Sequence, residues 1–162
     1  HAKNTSTVSF YDINLRPLCY SSEVIRVSID NADIAKLNTD ELEACRRICG
    51  IDEGGAAAVH RMMAGFALDT VALTKGSQGS ELYILDDVYR SASQPVKEVA
   101  DTVGAGDAYA AMLAVGILKR WPPQKTLAMA TTFASRICTI NGAIPDVSDF
   151  YAPIKAQISS GG

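Results

Sequence analysis

Between Val8 and Thr74 the chain alternates short apolar runs of β type with stretches of helical pattern, and this alternation restricts the fold most. Val8–Ile13 reads as a buried strand, stopped by Asn14-Leu15-Arg16-Pro17. Ser21-Ser22 can cap a short helix reaching about Ser28. Ala32–Leu37 is a second strand, and Asn38-Thr39-Asp40-Glu41 opens a helix that runs to about Cys49. Ala56–Phe66 predicts a third helix and Asp69–Thr74 a third strand. Strands and helices in this order build βαβ units, hence a parallel sheet covered on both faces. Lys75-Gly76-Ser77-Gln78-Gly79 then turns the chain into Glu81–Leu85, and Asp86-Asp87 turns it into Val88–Ser93. That hairpin adds an antiparallel section.

The remainder predicts helices: Asp107 to about Trp121, ended by Pro122-Pro123, then Thr126 to about Thr139, then Ser148–Ser159. Leu127, Ala130, Phe133, Ala134 and Ile137 share one face of the second. No repeat, low-complexity tract or linker interrupts the 162 residues, so one folding unit is expected, and 48% hydrophobic content suffices for a sizeable core. His1 is not an initiator methionine, and a strand pattern begins within about seven residues of it, too few for a whole preceding element. The chain therefore reads as a fragment of a longer protein, with Gly161-Gly162 a soft tail.

A net charge of −3 argues against electrostatic binding of nucleic acid or membrane, and Arg46-Arg47 reads as a solvated helix face. No apolar run reaches membrane-spanning length, and no signal peptide precedes the first strand. Cys45 and Cys49 lie one helical turn apart without a histidine pair or a CxxC, so with Cys19 and Cys138 they read as reduced thiols of a cytoplasmic protein.

Chemistry concentrates in Asp101-Thr102-Val103-Gly104-Ala105-Gly106-Asp107-Ala108-Tyr109. A glycine turn opening an apolar helix presents free N–H groups and a positive dipole end, which suit a phosphate. Asp107 beside it can serve as a general base. No Lys-Ser/Thr follows the second glycine, so this is not a P-loop, and Tyr109 breaks a dinucleotide fingerprint. The plain alternative is a strand-to-helix turn capped by Asp107.

DTVGAGDAY resembles the second signature of the ribokinase-like (PfkB) carbohydrate kinases, and three further segments agree in order. Asp12-Ile13-Asn14-Leu15-Arg16 is similar to the D-x-N-x-R segment of fructokinase and 2-keto-3-deoxygluconate kinase members. Asn38-Thr39-Asp40-Glu41 resembles the N-x-x-E motif, and Thr74-Lys75-Gly76-Ser77-Gln78-Gly79 the T-x-G-x-x-G nucleotide turn. The match extends from about Val8 to about Pro145. It implies a three-layer α/β/α fold with a mainly parallel sheet, of which this chain carries the C-terminal nucleotide-binding portion without the N-terminal half and its lid.

By the same resemblance, Asp107 deprotonates a sugar hydroxyl, while the amides of Gly104, Ala105, Gly106 and Asp107 form an anion hole for the transferring phosphoryl of ATP. Asn14, Asn38, Glu41, Thr74, Lys75, Gly76 and Gly79 line the nucleotide side, with Glu41 organising Mg²⁺ through water. Asp101 matches the residue that helps hold a monovalent cation, K⁺, in some members; turn capping is its other reading. Arg16 matches the arginine that contacts a substrate carboxylate in acid-sugar kinases, although neutral-sugar members share the pattern. Each motif also has a plain structural reading: Asn38-x-x-Glu41 is a capping box, Thr74–Gly79 a hairpin turn, and Arg16 a surface arginine. Lys75 either adds a charge contact or points to solvent. Cys19-Tyr20 replaces the tryptophan often found after the arginine. His60 reads as a helix-surface residue and Trp121 as packing at a helix end.

The expectation is a sugar kinase acting on fructose or a 2-keto-3-deoxygluconate-type acid, homodimeric in its parent form and inactive as an isolated fragment. A nucleoside or vitamin kinase of the same fold and an inactive kinase-like scaffold are the rivals.

Overall fold

The computed structural model describes residues 7–16, 18–93, 99–145 and 148–159. The expectations placed on His1, Pro17 and Gly161-Gly162 fall outside them. The described residues group into two compact units: the chain up to Gly76 with Ser80–Tyr89, and Ser77–Gly79 with the chain from Arg90 onward.

The first unit follows the predicted alternation: β1 (Phe10–Asp12), α1 (Ser22–Asp30), β2 (Ile34–Asn38), α2 (Thr39–Cys49), α3 (Gly55–Phe66), β3 (Thr70–Thr74) and β4 (Ser80–Ile84). With β5 (Asp87–Ser91) the strands form one sheet in the order β1-β2-β3-β4-β5. β1, β2 and β3 pair in parallel, and β4 returns antiparallel to β3. Alternation along the strands sends Ala35, Leu37, Val71, Leu73 and Tyr83 into a core shared with Ile25 and Ile29 of α1, Leu42 and Cys45 of α2, and Val59 and Met62 of α3. The α1 cap is the predicted serine: Val24 N–H donates to Ser21 Oγ at 3.2 Å. The hairpin turn falls on Leu85-Asp86, one residue before the predicted Asp86-Asp87, with Leu85 at φ 53° and exposed.

The second unit is built on α4 (Ala105–Leu118) and α5 (Pro123–Ile137), followed by a short 3₁₀ turn (Ser148–Tyr151) and α6 (Ala152–Ser159). Two predicted boundaries are corrected. α4 starts at Ala105, so Asp107 lies inside its first turn rather than at its start. It ends before the prolines, through Arg120 in the left-handed region at φ 53°. Arg120 N–H donates to Ile117 O and Trp121 N–H to Gly116 O, both at 2.9 Å, satisfying terminal carbonyls without proline. Pro122-Pro123 instead opens α5, where a missing N–H costs nothing. α4 and α5 approach closely at Gly116, where a Cβ would lie 2.5 Å from Thr126 Cγ2. No helix among the described residues is long and apolar enough to cross a membrane.

Candidate active-site motifs

Three of the four motifs lie at the carboxyl ends of the parallel strands, where open α/β sheets bind ligands. Asn38 ends β2 and Thr74 ends β3, and they are register partners. Both belong to the sheet face opposite the α1–α3 core, as do Asp12 and Lys36, since their neighbours Ile13, Leu37 and Leu73 fill that core. Asn14 and Arg16 follow the end of β1 and are exposed.

The Asn38–Glu41 segment is a complete capping box. Glu41 N–H donates to Asn38 Oδ1 at 2.9 Å, and Asn38 N–H donates to Glu41 Oε2 at 2.7 Å. Glu41 Oε1 also accepts from Leu15 N–H at 3.4 Å, so one carboxylate joins the residues after β1 to the start of α2. An ionised carboxylate offers about four lone-pair sites. Glu41 therefore retains acceptor capacity for the water shell that Mg²⁺ keeps. Among the described residues no group of three or more His, Cys, Asp or Glu side chains comes together.

The turn after β3 divides in its uses. Thr74 hydroxyl donates to Leu37 O at 3.5 Å. Lys75 does not point freely into solvent: its Nζ lies 2.7 Å from Glu81 Oε2, which also accepts the Tyr83 hydroxyl at 2.6 Å. Tyr83 is fully buried, its ring edge-on to His60 of α3 at 5.4 Å. Gly76 has φ 56° with open space around it, leaving its backbone approachable. Gly79 belongs to the second unit and is there of necessity. It has φ 91°, and a Cβ would fall 2.1 Å from Ser91 O.

The glycine turn of the second unit opens α4. Gly104 precedes α4 at φ 81°, and no side chain caps the helix, which removes the plain reading of Asp107 as a cap. A Cβ on Gly104 would stand 2.5 Å from Ala143 Cβ. Ala105 N–H is directed to Thr102 O at 3.2 Å. The amides of Gly106 and Asp107 make no hydrogen bond among the described residues, leaving them for a ligand at the positive end of a fourteen-residue helix. The Asp107 carboxylate is exposed beside them. Asp101 braces the loop: Val103 N–H donates to its Oδ1 at 3.0 Å and Gly142 N–H to its Oδ2 at 3.2 Å. These two amides hold its carboxyl below the ordinary range. Lone pairs remain on both oxygens, the capacity a K⁺ ligand needs. The Gly142-Ala143 brace escaped sequence reasoning; Asn141-Gly142 before Pro145 is the turn signal that marks it.

The pfkB carbohydrate kinase family model matches residues 1–149. The chain belongs to the pfkB family of carbohydrate kinases. Fructokinase-1 of Zea mays is 30% identical over 97% of this chain and 49% of its own length. The structure of Arabidopsis thaliana ribokinase complexed with ribose and ATP is 26% identical, with TM-score 0.71 over 91% of this chain and 46% of that one. A PfkB carbohydrate kinase from Listeria grayi superposes with TM-score 0.76 over 98% of this chain and 52% of that one, at 20% identity. These likenesses establish the ribokinase-like α/β/α fold class. The chain spans less than half of the length of the curated relatives it matches.

Proposed function

We propose that the protein carrying this chain transfers the γ-phosphoryl group of ATP to a hydroxyl of a sugar or keto-acid sugar, of the fructose or 2-keto-3-deoxygluconate class. The observation that carries this reading is the turn before α4: two uncommitted amides at a helix N-terminus with an exposed carboxylate in the same turn. Phosphoryl transfer asks for positioning and charge stabilisation more than for covalent chemistry. The amides of Gly106 and Asp107, with that of Gly104, donate to the transferring phosphoryl. Ala105 contributes by its small size, since its own amide is bonded to Thr102.

Asp107 takes the proton of the acceptor hydroxyl as the oxygen attacks. Asn38, Thr74 and Gly76 with Gly79 shape the nucleotide phosphate side, and Asn14 borders it. Glu41 orients the waters of Mg²⁺, which when bound neutralises phosphate charge. Asp101 would help hold K⁺ next to the loop it braces. Arg16 recognises a carboxylate or hydroxyl of the acceptor through its forked N–H groups. Lys75, paired with Glu81, serves the turn more directly than the phosphates.

An ADP-release assay on the full-length protein with Mg²⁺, K⁺ and a panel of fructose, 2-keto-3-deoxygluconate, ribose and nucleosides tests this. The expected result is turnover with a sugar, lost by about 10²- to 10⁴-fold in Asp107→Asn, the range for removing a general base, with nucleotide binding retained. Full turnover in Asp107→Asn removes Asp107 from the role of base. Preference for a nucleoside replaces the sugar assignment, and silence with every acceptor replaces the kinase by a scaffold.

A further inference from the structure

Lys36 is the residue whose placement the four motifs leave unexplained. It stands in the middle of β2, inside the apolar run Ile34-Ala35-Lys36-Leu37, and is 6% exposed. Lysine is rarely buried unless paired, and this one is: its Nζ lies 2.9 Å from Asp12 Oδ1 on the neighbouring strand. Asp12 and Lys36 are register partners at the end of the β1–β2 ladder. With Lys36 buried and Asp12 partly so, the pair is a poor source of net stability, because desolvation offsets much of the attraction. What such a pair supplies is a fixed geometry.

The geometry here concerns one short segment. Lys36 grips the end of β1 twice: its ammonium takes Asp12, and its carbonyl accepts from Ile13 N–H at 2.8 Å. Two residues on, Leu15 N–H reaches Glu41 Oε1. Ile13 is fully buried, whereas Asn14 and Arg16 are exposed. The backbone from Asp12 to Leu15 is thus tied down on one side while the two polar side chains face outward.

We propose that the Asp12–Lys36 pair is a positioning device for the segment that carries the acceptor-recognition residue Arg16. It acts through the backbone, with neither residue touching substrate. The proposal rests on the sugar-kinase reading for its functional meaning, but its physical core is independent of that reading. Loss of the pair loosens the register of the segment, which misplaces Arg16 while leaving the glycine turn before α4 unaltered.

The test uses the full-length protein in two measurements. In Lys36→Met, amide hydrogen exchange of residues 13–16 is expected to accelerate, with α3 unchanged, and Lys36→Arg to restore most of the protection. In steady-state kinetics the acceptor KM is expected to rise about tenfold or more, as small misplacements do, and the ATP KM, through Asn14, by clearly less. Because Lys36→Met takes the cation from beside the partly buried Asp12 carboxylate, the double variant Asp12→Leu with Lys36→Met removes both charges together. It is expected to fold with the acceptor KM still raised.

Unchanged exchange at residues 13–16 in a folded variant overturns the proposal, whatever the kinetics. Equal rises in both KM values, or a wild-type acceptor KM in the double variant, overturn it as well. A wild-type protein inactive with every acceptor overturns the kinase reading instead, and exchange alone then decides whether the pair positions the segment.

Discussion

Cys45 is fully buried on α2, and burial, reinforced by Cys49 and Glu41, pushes its thiol up to about 12 from 9.0. A raised thiol pKa means that the folded protein holds the neutral form where the unfolded chain would ionise. The resulting stability is complete below pH 9.0 and falls as pH rises from 9.0 towards about 12. Urea unfolding is expected to show a loss on the order of 1 kcal/mol by pH 10 from this group, one decade above its unfolded pKa. Cys45→Ala should flatten that slope, and an equally steep slope in the variant would refute the assignment. In the native protein exposed Cys19 should react with an alkylating reagent well before Cys45. At this scale the sequence was legible where local chemistry decides, as with Ser21 capping α1. It was silent on Lys36, because a lysine within an apolar run signals burial but not the partner across the sheet.

Element boundaries divide by the range of the interactions that set them. Asn38-x-x-Glu41 specifies a capping box within four residues, and the structure contains it. Pro122-Pro123 misleads, because proline is compatible with the first turn of a helix as well as with the residues after one. The chain resolves that ambiguity three residues earlier, where Arg120 takes a left-handed conformation that no local residue preference announces. Gly79 shows the same dependence on distant chain. Its two constraints are φ 91° and a contact with Ser91 O, the second twelve residues away. Gly79→Ala is therefore expected to cost about 1–3 kcal/mol, as overpacking against rigid backbone does, readable as a lower urea midpoint. A midpoint equal to wild type would show that the turn can open without cost. Gly76→Ala faces only the left-handed strain, having open space, and should cost less.

Across the whole chain, the motifs are distributed over two compact units: Asp12–Arg16, Asn38–Glu41 and Thr74–Gly76 in one, Gly79 and Asp101–Asp107 in the other. Because the chain spans at most half of its curated relatives, the isolated 162 residues are expected to bind MgATP weakly and to release no ADP with any sugar, and the full-length protein is expected to bind MgATP and to release ADP with its sugar. Titration calorimetry and the ADP-release assay check this pair of outcomes, and sugar-dependent turnover by the isolated chain would contradict it.

The amino-acid sequence by itself determined the order of strands and helices, the parallel sheet with its antiparallel return, and the four ordered segments that identify the family. Those follow from periodicity, capping and turn chemistry, all of which act over a few residues. Only the tertiary structure decided the rest. It showed that Lys75 is held by Glu81, that Ala105 gives its amide to Thr102, and that Glu41 bonds to Leu15. It also showed that Lys36 is buried against Asp12. Each of these depends on which groups a folded backbone brings within hydrogen-bond reach, and no local pattern encodes that distance.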